Sequence, residues 1–155
     1  MISKSIEETI DIGARLARKL KSGDCVALVG ELGSGKTALT KGIAKGLGVK
    51  DIRYVNSPTF VIIKEYSASG GSAKKVLKSQ RSGKGKLPLY HFDLYRLNRS
   101  TVLDEVSFDE YFYGDGVTVV EWADKVRKLL PKKRIEIKLS VIGENERKIT
   151  IAKKP

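Results

Sequence analysis

Cysteine, histidine, methionine and tryptophan each occur once in this chain of 155 residues, and proline occurs four times. The lone Cys25 excludes an intramolecular disulfide framework and points to a reducing, cytoplasmic setting. No apolar run nears the roughly 18 residues of a membrane-spanning helix. Glu7, Glu8 and Asp11 fall where a signal peptide would carry its apolar core, so no export signal is expected. No internal repeat is visible. What remains is a soluble globular composition, 41% hydrophobic and 31% charged, long enough for a single domain over 1–155 with its own core.

Acidic residues are scarce, and the net charge is +12. A basic balance suggests a nucleic-acid partner, but the excess is unevenly placed. Residues 67–86 carry +6 with no acid, and residues 125–155 carry +8. Residues 1–66 carry +4, while residues 87–124 carry −6. The aromatics show no RNA-binding signature and read as core or interface. The segment 67–86 is rich in Gly, Ser, Ala, Lys and Arg, with Val76 and Leu77 its bulky apolar residues. It cannot bury enough apolar area to offset its ordering entropy, and it is expected to be a mobile basic loop inserted between two strands.

Periodicity places the elements. Ser5 and Glu8 have capping-box spacing, and Ile6, Ile10, Gly13, Ala17 and Leu20 recur at helical steps behind them. Cys25–Val29 is a short, wholly apolar run, as expected of a buried parallel strand. A glycine-rich turn, 30–35, leads into a helix over Lys36–Leu47, with Gly48 as its stop. Further strands are predicted at 60–66, 87–92, 117–120, 134–141 and 148–152. Short helices are predicted within 101–111 and over 122–129, the latter ending before Pro131. This alternation predicts an α/β fold: a mixed, mainly parallel sheet flanked by helices, with antiparallel strands toward the C-terminus.

Gly30-Glu31-Leu32-Gly33-Ser34-Gly35-Lys36-Thr37 matches G-x-x-x-x-G-K-[ST], the P-loop pattern, between an apolar strand and a periodic helix. Glycines there let successive N–H groups face one concavity, and the helix N-terminus adds a positive dipole end. Lys36 is expected to reach the β- and γ-phosphates, and the Thr37 hydroxyl to meet Mg²⁺. Outside a phosphate site, a lysine at a helix start would be repelled by the dipole. A second Mg²⁺-side carboxylate is required at a neighbouring strand end, and both Asp93 and Glu121 follow apolar runs. Each could instead cap the following helix.

Other absences narrow the substrate. Neither N-K-x-D nor D-x-x-G, the signatures of Ras-type GTPases, occurs, which leaves ATP by elimination. A small-molecule kinase would share the P-loop but needs an Arg-rich lid, and 67–86 offers only Arg81. A basic RNA-binding module is the remaining alternative. By strand alternation His91 shares a face with Leu89 and Asp93, either as a satisfied structural histidine or within reach of the site.

Four stretches, GELGSGKT at 30–37, SPTF at 57–60, HFDLYRL at 91–97 and VEWA at 120–123, stand in the order seen in the TsaE (YjeE) family of bacterial P-loop ATPases. The chain resembles that family over nearly its whole length except 67–86, and SPTF and HFDLYRL are more specific to it than the P-loop. The resemblance implies an accessory protein in the synthesis of N6-threonylcarbamoyladenosine at position 37 of tRNA. It implies ATP/ADP and Mg²⁺ as ligands, and docking on a TsaD–TsaB heterodimer that stimulates a weak ATPase. Transfer itself would belong to TsaD, with tRNA met only through the complex. By the same resemblance Leu32, Gly33, Ser34, Gly35, Lys36, Thr37 and Ala38 would form the nucleotide loop, and Thr9 would lie near the adenine. Asp93 would be the Walker B-like acid, Glu121 would lie on the Mg²⁺ side, Thr59 in a switch-like loop near the γ-phosphate, and Trp122 beside the nucleotide. Ser34 and Ala38 depart from the family's usual Ala and Thr without touching the phosphate logic.

Overall fold

In the computed structural model of the chain, residues 1–57, 62–67, 87–96 and 107–155 are described. Pro58 to Val61, and with them Thr59, lie outside that set, as do residues 68–86 of the basic segment and residues 97–106.

The first strand, β1 (Ile2–Ser3), is a two-residue edge. Helix α1 (Ile6–Ala17) starts where the capping spacing places it: extended Ser5 accepts a hydrogen bond from the Glu8 N–H at 3.1 Å. Glu8 in turn accepts from the Lys4 N–H at 2.6 Å, so two donors at the helix entrance are satisfied reciprocally. Its buried face is Thr9, Ile12, Gly13 and Ala17. Ile6, expected on that face, is instead exposed, because it sits in the first turn, which overhangs a cleft.

Strand β2 (Cys25–Val29) is followed by α2 (Lys36–Gly46), which Gly48 ends with φ at +92°. Then come β3 (Ile63–Tyr66), β4 (Leu89–Asp93), α3 (Phe108–Phe112) and β5 (Val117–Glu121). Two long strands close the chain, β6 (Arg134–Val141) and β7 (Arg147–Lys154). They form one sheet in the order β1-β7-β6-β2-β5-β4-β3. The inner strands β6, β2, β5 and β4 are parallel. Antiparallel pairing was expected late in the chain and occurs at β6–β7. It occurs also at both edges, where β1 joins β7 and β3 joins β4.

Strand β2 shows why its sequence does not alternate. Val26 and Leu28 pack into a core with Ile12, Leu39, Ile43 and Ile137, on the side covered by α1 and α2. Cys25 and Ala27 face the opposite core of Phe92, Phe108, Phe112 and Val120. A central parallel strand buried on both faces must be apolar at every position. The helix predicted over 122–129 contracts to a single 3₁₀ turn, Ala123–Val126. Trp122 precedes that turn in a left-handed conformation, with φ at +59°. Among the described residues, no helix is long and apolar enough to cross a membrane.

Candidate functional site

The carboxyl ends of the parallel strands meet the N-terminus of α2 around an open cleft of about 350 Å³. Such strand ends are where open α/β sheets place their sites. Among its lining residues are Thr9, Leu32, Gly33, Gly35, Lys36, Thr37, Ala38, Asp93, Glu121 and Trp122. Those are the residues singled out from the sequence except Ser34, which is buried beneath the loop, and Thr59, which lies outside the described set. The Ser34 N–H closes an internal turn onto the Glu31 carbonyl at 3.2 Å, and its hydroxyl lies 3.4 Å from Lys36 Nζ.

The loop between β2 and α2 depends on Gly33 and Gly35, with φ of +75° and +97°. A side chain would be strained in that region. Gly35 caps α2 without a side-chain hydrogen bond, and no acid stands in the first turn. The helix therefore presents its free N–H groups and the positive end of its dipole to the cleft uncompensated, a fit for an anionic group.

Lys36 is buried, and its Nζ donates to the carbonyls of Gly30 and Glu31 at 2.7 Å each. The Trp122 ring stacks 3.9 Å from the same ammonium. Burial lowers the Lys36 pKa, opposed by the negative charges of Glu121, Asp93, Asp124 and Glu31. Trp122 holds its place over the lysine at a cost: with φ at +59°, it is the one non-glycine residue of positive φ among the described residues.

The two acid candidates separate clearly. Strand β5 lies directly beside β2, so Glu121 stands opposite Leu28, whereas Asp93 is one strand further away. Glu121 is 1% exposed. Its Oε2 accepts from the Thr37 hydroxyl at 2.9 Å, and its Oε1 meets the Thr40 hydroxyl at 2.9 Å and His91 Nε2 at 2.8 Å. Three donors replace the water that this carboxylate gave up. Asp93 bonds to other residues of the cleft lining, accepting from the Ser57 hydroxyl and, at 2.9 Å, from the Tyr95 N–H. Of the two, Glu121 is the one in contact with the P-loop hydroxyl. A carboxylate and a hydroxyl side by side at a strand end form an oxygen set suited to Mg²⁺, which keeps much of its own water.

Sequence reasoning missed Thr40, Ser57, Asn145 and Arg147. Thr40 stands four residues past Lys36, one helical turn along α2, so helical spacing could have found it. Asn145, in the β6–β7 connection, and Arg147, the first residue of β7, line the cleft. The Arg147 guanidinium donates to the Gly33 carbonyl at 3.2 Å and to the Gly143, Glu144 and Glu146 carbonyls at 3.0–3.2 Å. It thereby ties the tip of the glycine-rich loop to the far hairpin. No local pattern marks a contact across 114 positions.

Comparison with known proteins places the chain in a family. A sequence model of the family described as "Threonylcarbamoyl adenosine biosynthesis protein TsaE" matches residues 3–149. A tRNA threonylcarbamoyladenosine biosynthesis protein TsaE from Bacillus subtilis is 44% identical over 144 residues, covering 93% of this chain and 78% of that protein. The protein of the same description from Treponema pallidum is 34% identical over 97% of this chain and 98% of its own length. The crystal structure of Bacillus subtilis YdiB superposes with a TM-score of 0.73 at 37% identity, covering 100% of this chain and 84% of that one. The chain belongs to the TsaE family of threonylcarbamoyl adenosine biosynthesis proteins.

Proposed function

We propose that this chain is a Mg²⁺-dependent ATP-binding and ATP-hydrolysing accessory protein of tRNA N6-threonylcarbamoyladenosine synthesis. It works in the cytoplasm on a TsaD–TsaB complex and does not carry out the transfer. The observation that carries this reading is the constellation at the start of α2. There Lys36 lies under Trp122, and the Thr37 hydroxyl donates to a buried strand-end carboxylate, Glu121, at 2.9 Å.

Each residue then has a definite task. The N–H groups at the start of α2 hold the phosphates. Lys36 exchanges the Gly30 and Glu31 carbonyls for β- and γ-phosphate oxygens, and gains a charge partner where burial now disfavours its charge. Thr37 and Glu121 would hold Mg²⁺, which when bound neutralises charge on the phosphate oxygens. Asp93, through Ser57, ties the start of the SPTF segment to the site. In hydrolysis a water oxygen bonds to the γ-phosphorus as the bridging P–O bond to ADP breaks and its electron pair leaves with ADP. Positioning and charge stabilisation are the protein's main levers in that step.

The test is ATP turnover measured with the chain alone and after addition of TsaD–TsaB. Turnover should be slow alone and rise several-fold with the partners, and a flat rate would sink the accessory-ATPase reading. By calorimetry, Lys36→Ala should lose most Mg-ATP affinity; unchanged binding would remove the phosphate role of the 30–37 loop.

A further inference from the structure

His91 lies at the centre of β4, wholly buried, beneath the floor of the cleft. Its Nε2 is 2.8 Å from Glu121 Oε1, while its Nδ1 is a buried polar atom with no hydrogen-bond partner among the described residues. The pairing fixes where the ring hydrogen sits. Glu121 is an acceptor, so the hydrogen belongs on Nε2. A hydrogen on Nδ1 would be an unsatisfied buried donor and would leave two lone pairs facing each other at Nε2. The Tyr66 ring, 6.4 Å away between centroids, packs against the imidazole without offering it a hydrogen bond.

The three donors around Glu121 are not equivalent. Thr37 sits on the cleft wall. The Thr40 hydroxyl has one hydrogen and two acceptors within reach, Glu121 Oε1 at 2.9 Å and the Lys36 carbonyl at 3.0 Å. His91 alone has a rigid ring on a central strand with Glu121 as its partner. The backbone adds to this rigidity, because His91 lies in register with Val119 and Asp93 with Glu121 on the same parallel ladder.

We propose that His91 is a positioning residue. It donates from Nε2 to Glu121 Oε1 and so turns Oε2 toward the Thr37 hydroxyl and the cleft. The inference rests on Glu121 being the Mg²⁺-side carboxylate. Such partners behind a metal-side group orient it, and their loss typically lowers metal affinity by about 10–100-fold.

Because His91 is the one histidine of the chain, nitrogen NMR of its imidazole reads a single residue. In the ligand-free protein Nε2 should carry a hydrogen; an Nε2 without one overturns the proposal. The second arm measures ADP affinity by calorimetry with MgCl₂ and with EDTA, for wild type, His91→Leu and His91→Gln. His91→Leu should lose roughly 10–100-fold of the Mg²⁺-dependent part and keep the EDTA value, while His91→Gln, which retains a donor, recovers part of it. Full Mg²⁺ dependence in folded His91→Leu overturns the positioning role alone. A wild type that binds ADP equally in MgCl₂ and EDTA overturns the assignment of Glu121, and the positioning role with it. Should His91→Leu not fold, the NMR measurement on wild type still decides.

Discussion

Glu121 and Asp93 could not be ranked from sequence, because both read as an acid after an apolar strand. The proposal that favours Glu121 rests on sheet order and on partners far along the chain: Thr37 lies 84 positions from Glu121, Thr40 lies 81 away and His91 lies 30 away. Single side chains at the expected strand end and helix start were legible. Their mutual contacts were not, since contacts arise only when β5 lies beside β2. Asp93, bonded to Ser57 and to the Tyr95 backbone, should matter through the segment it ties down. Asp93→Ala is therefore expected to keep most Mg-ATP affinity and to slow partner-stimulated hydrolysis at least tenfold. Wild-type turnover in that variant would leave Glu121 as the sole acid of the reaction. Cys25 gives a check at the same scale. It is 1% exposed, and burial raises its thiol pKa to about 12 against the opposing pull of Arg134. At pH 8 the thiolate fraction is on the order of 10⁻⁴. A disulfide reagent should leave the folded chain unmodified and titrate one thiol in guanidinium; prompt labelling without denaturant would contradict the burial of β2.

At the scale of elements, the positions of β2, α1, α2, β5 and β6 followed from periodicity and capping. The close contact between α1 and α2 did not. A Cβ on Gly42 would stand 2.1 Å from the Ile10 carbonyl oxygen and 2.9 Å from the Gly13 Cα, and one on Gly13 would stand 2.4 Å from the Leu39 oxygen. The two helices pack backbone against backbone there. Pattern reading could place Gly13 on a helix face, but it scores Gly42 only as a weak helix former. Propensity alone makes Gly42→Ala stabilising by roughly 1 kcal/mol. Packing reverses the sign, because overpacking of this kind costs about 1–3 kcal/mol and the obstructing atoms are backbone. The variant should melt several degrees lower than wild type, while a higher melting temperature would show that the helices can separate at no cost. Ligand binding should weaken along with stability, since α1 carries Thr9 and α2 carries Lys36 and Thr37, all of which line the cleft.

For the whole molecule, the excess of +12 divides into parts with different consequences. Residues 1–66 and 87–124 together total −2 and hold every family motif, so the positive charge is carried elsewhere. Its densest block, 67–86, joins β3 to β4, and the sheet says where that block is rooted. Tyr66 and Leu89 are paired across the antiparallel ladder, so the strand residues that flank the block stand within about 5.5 Å of each other. They stand at the start of β4, while the cleft is at Asp93, four residues along, roughly 13 Å at the rise of a strand. A short Gly/Ser turn can therefore replace 68–86 without moving either strand, and the nucleotide site should not register the change. Ligand linkage provides the readout. A ligand at a hundredfold its Kd stabilises by about 2.7 kcal/mol, which for a chain of this size raises the melting temperature by roughly 5–10 °C. Mg-ATP should produce that shift in the full chain and equally in the loop-replaced chain, and Lys36→Ala should abolish it in both. Loss of the shift on loop replacement alone would make the basic segment part of the nucleotide site. A retained shift places the segment's role outside nucleotide binding.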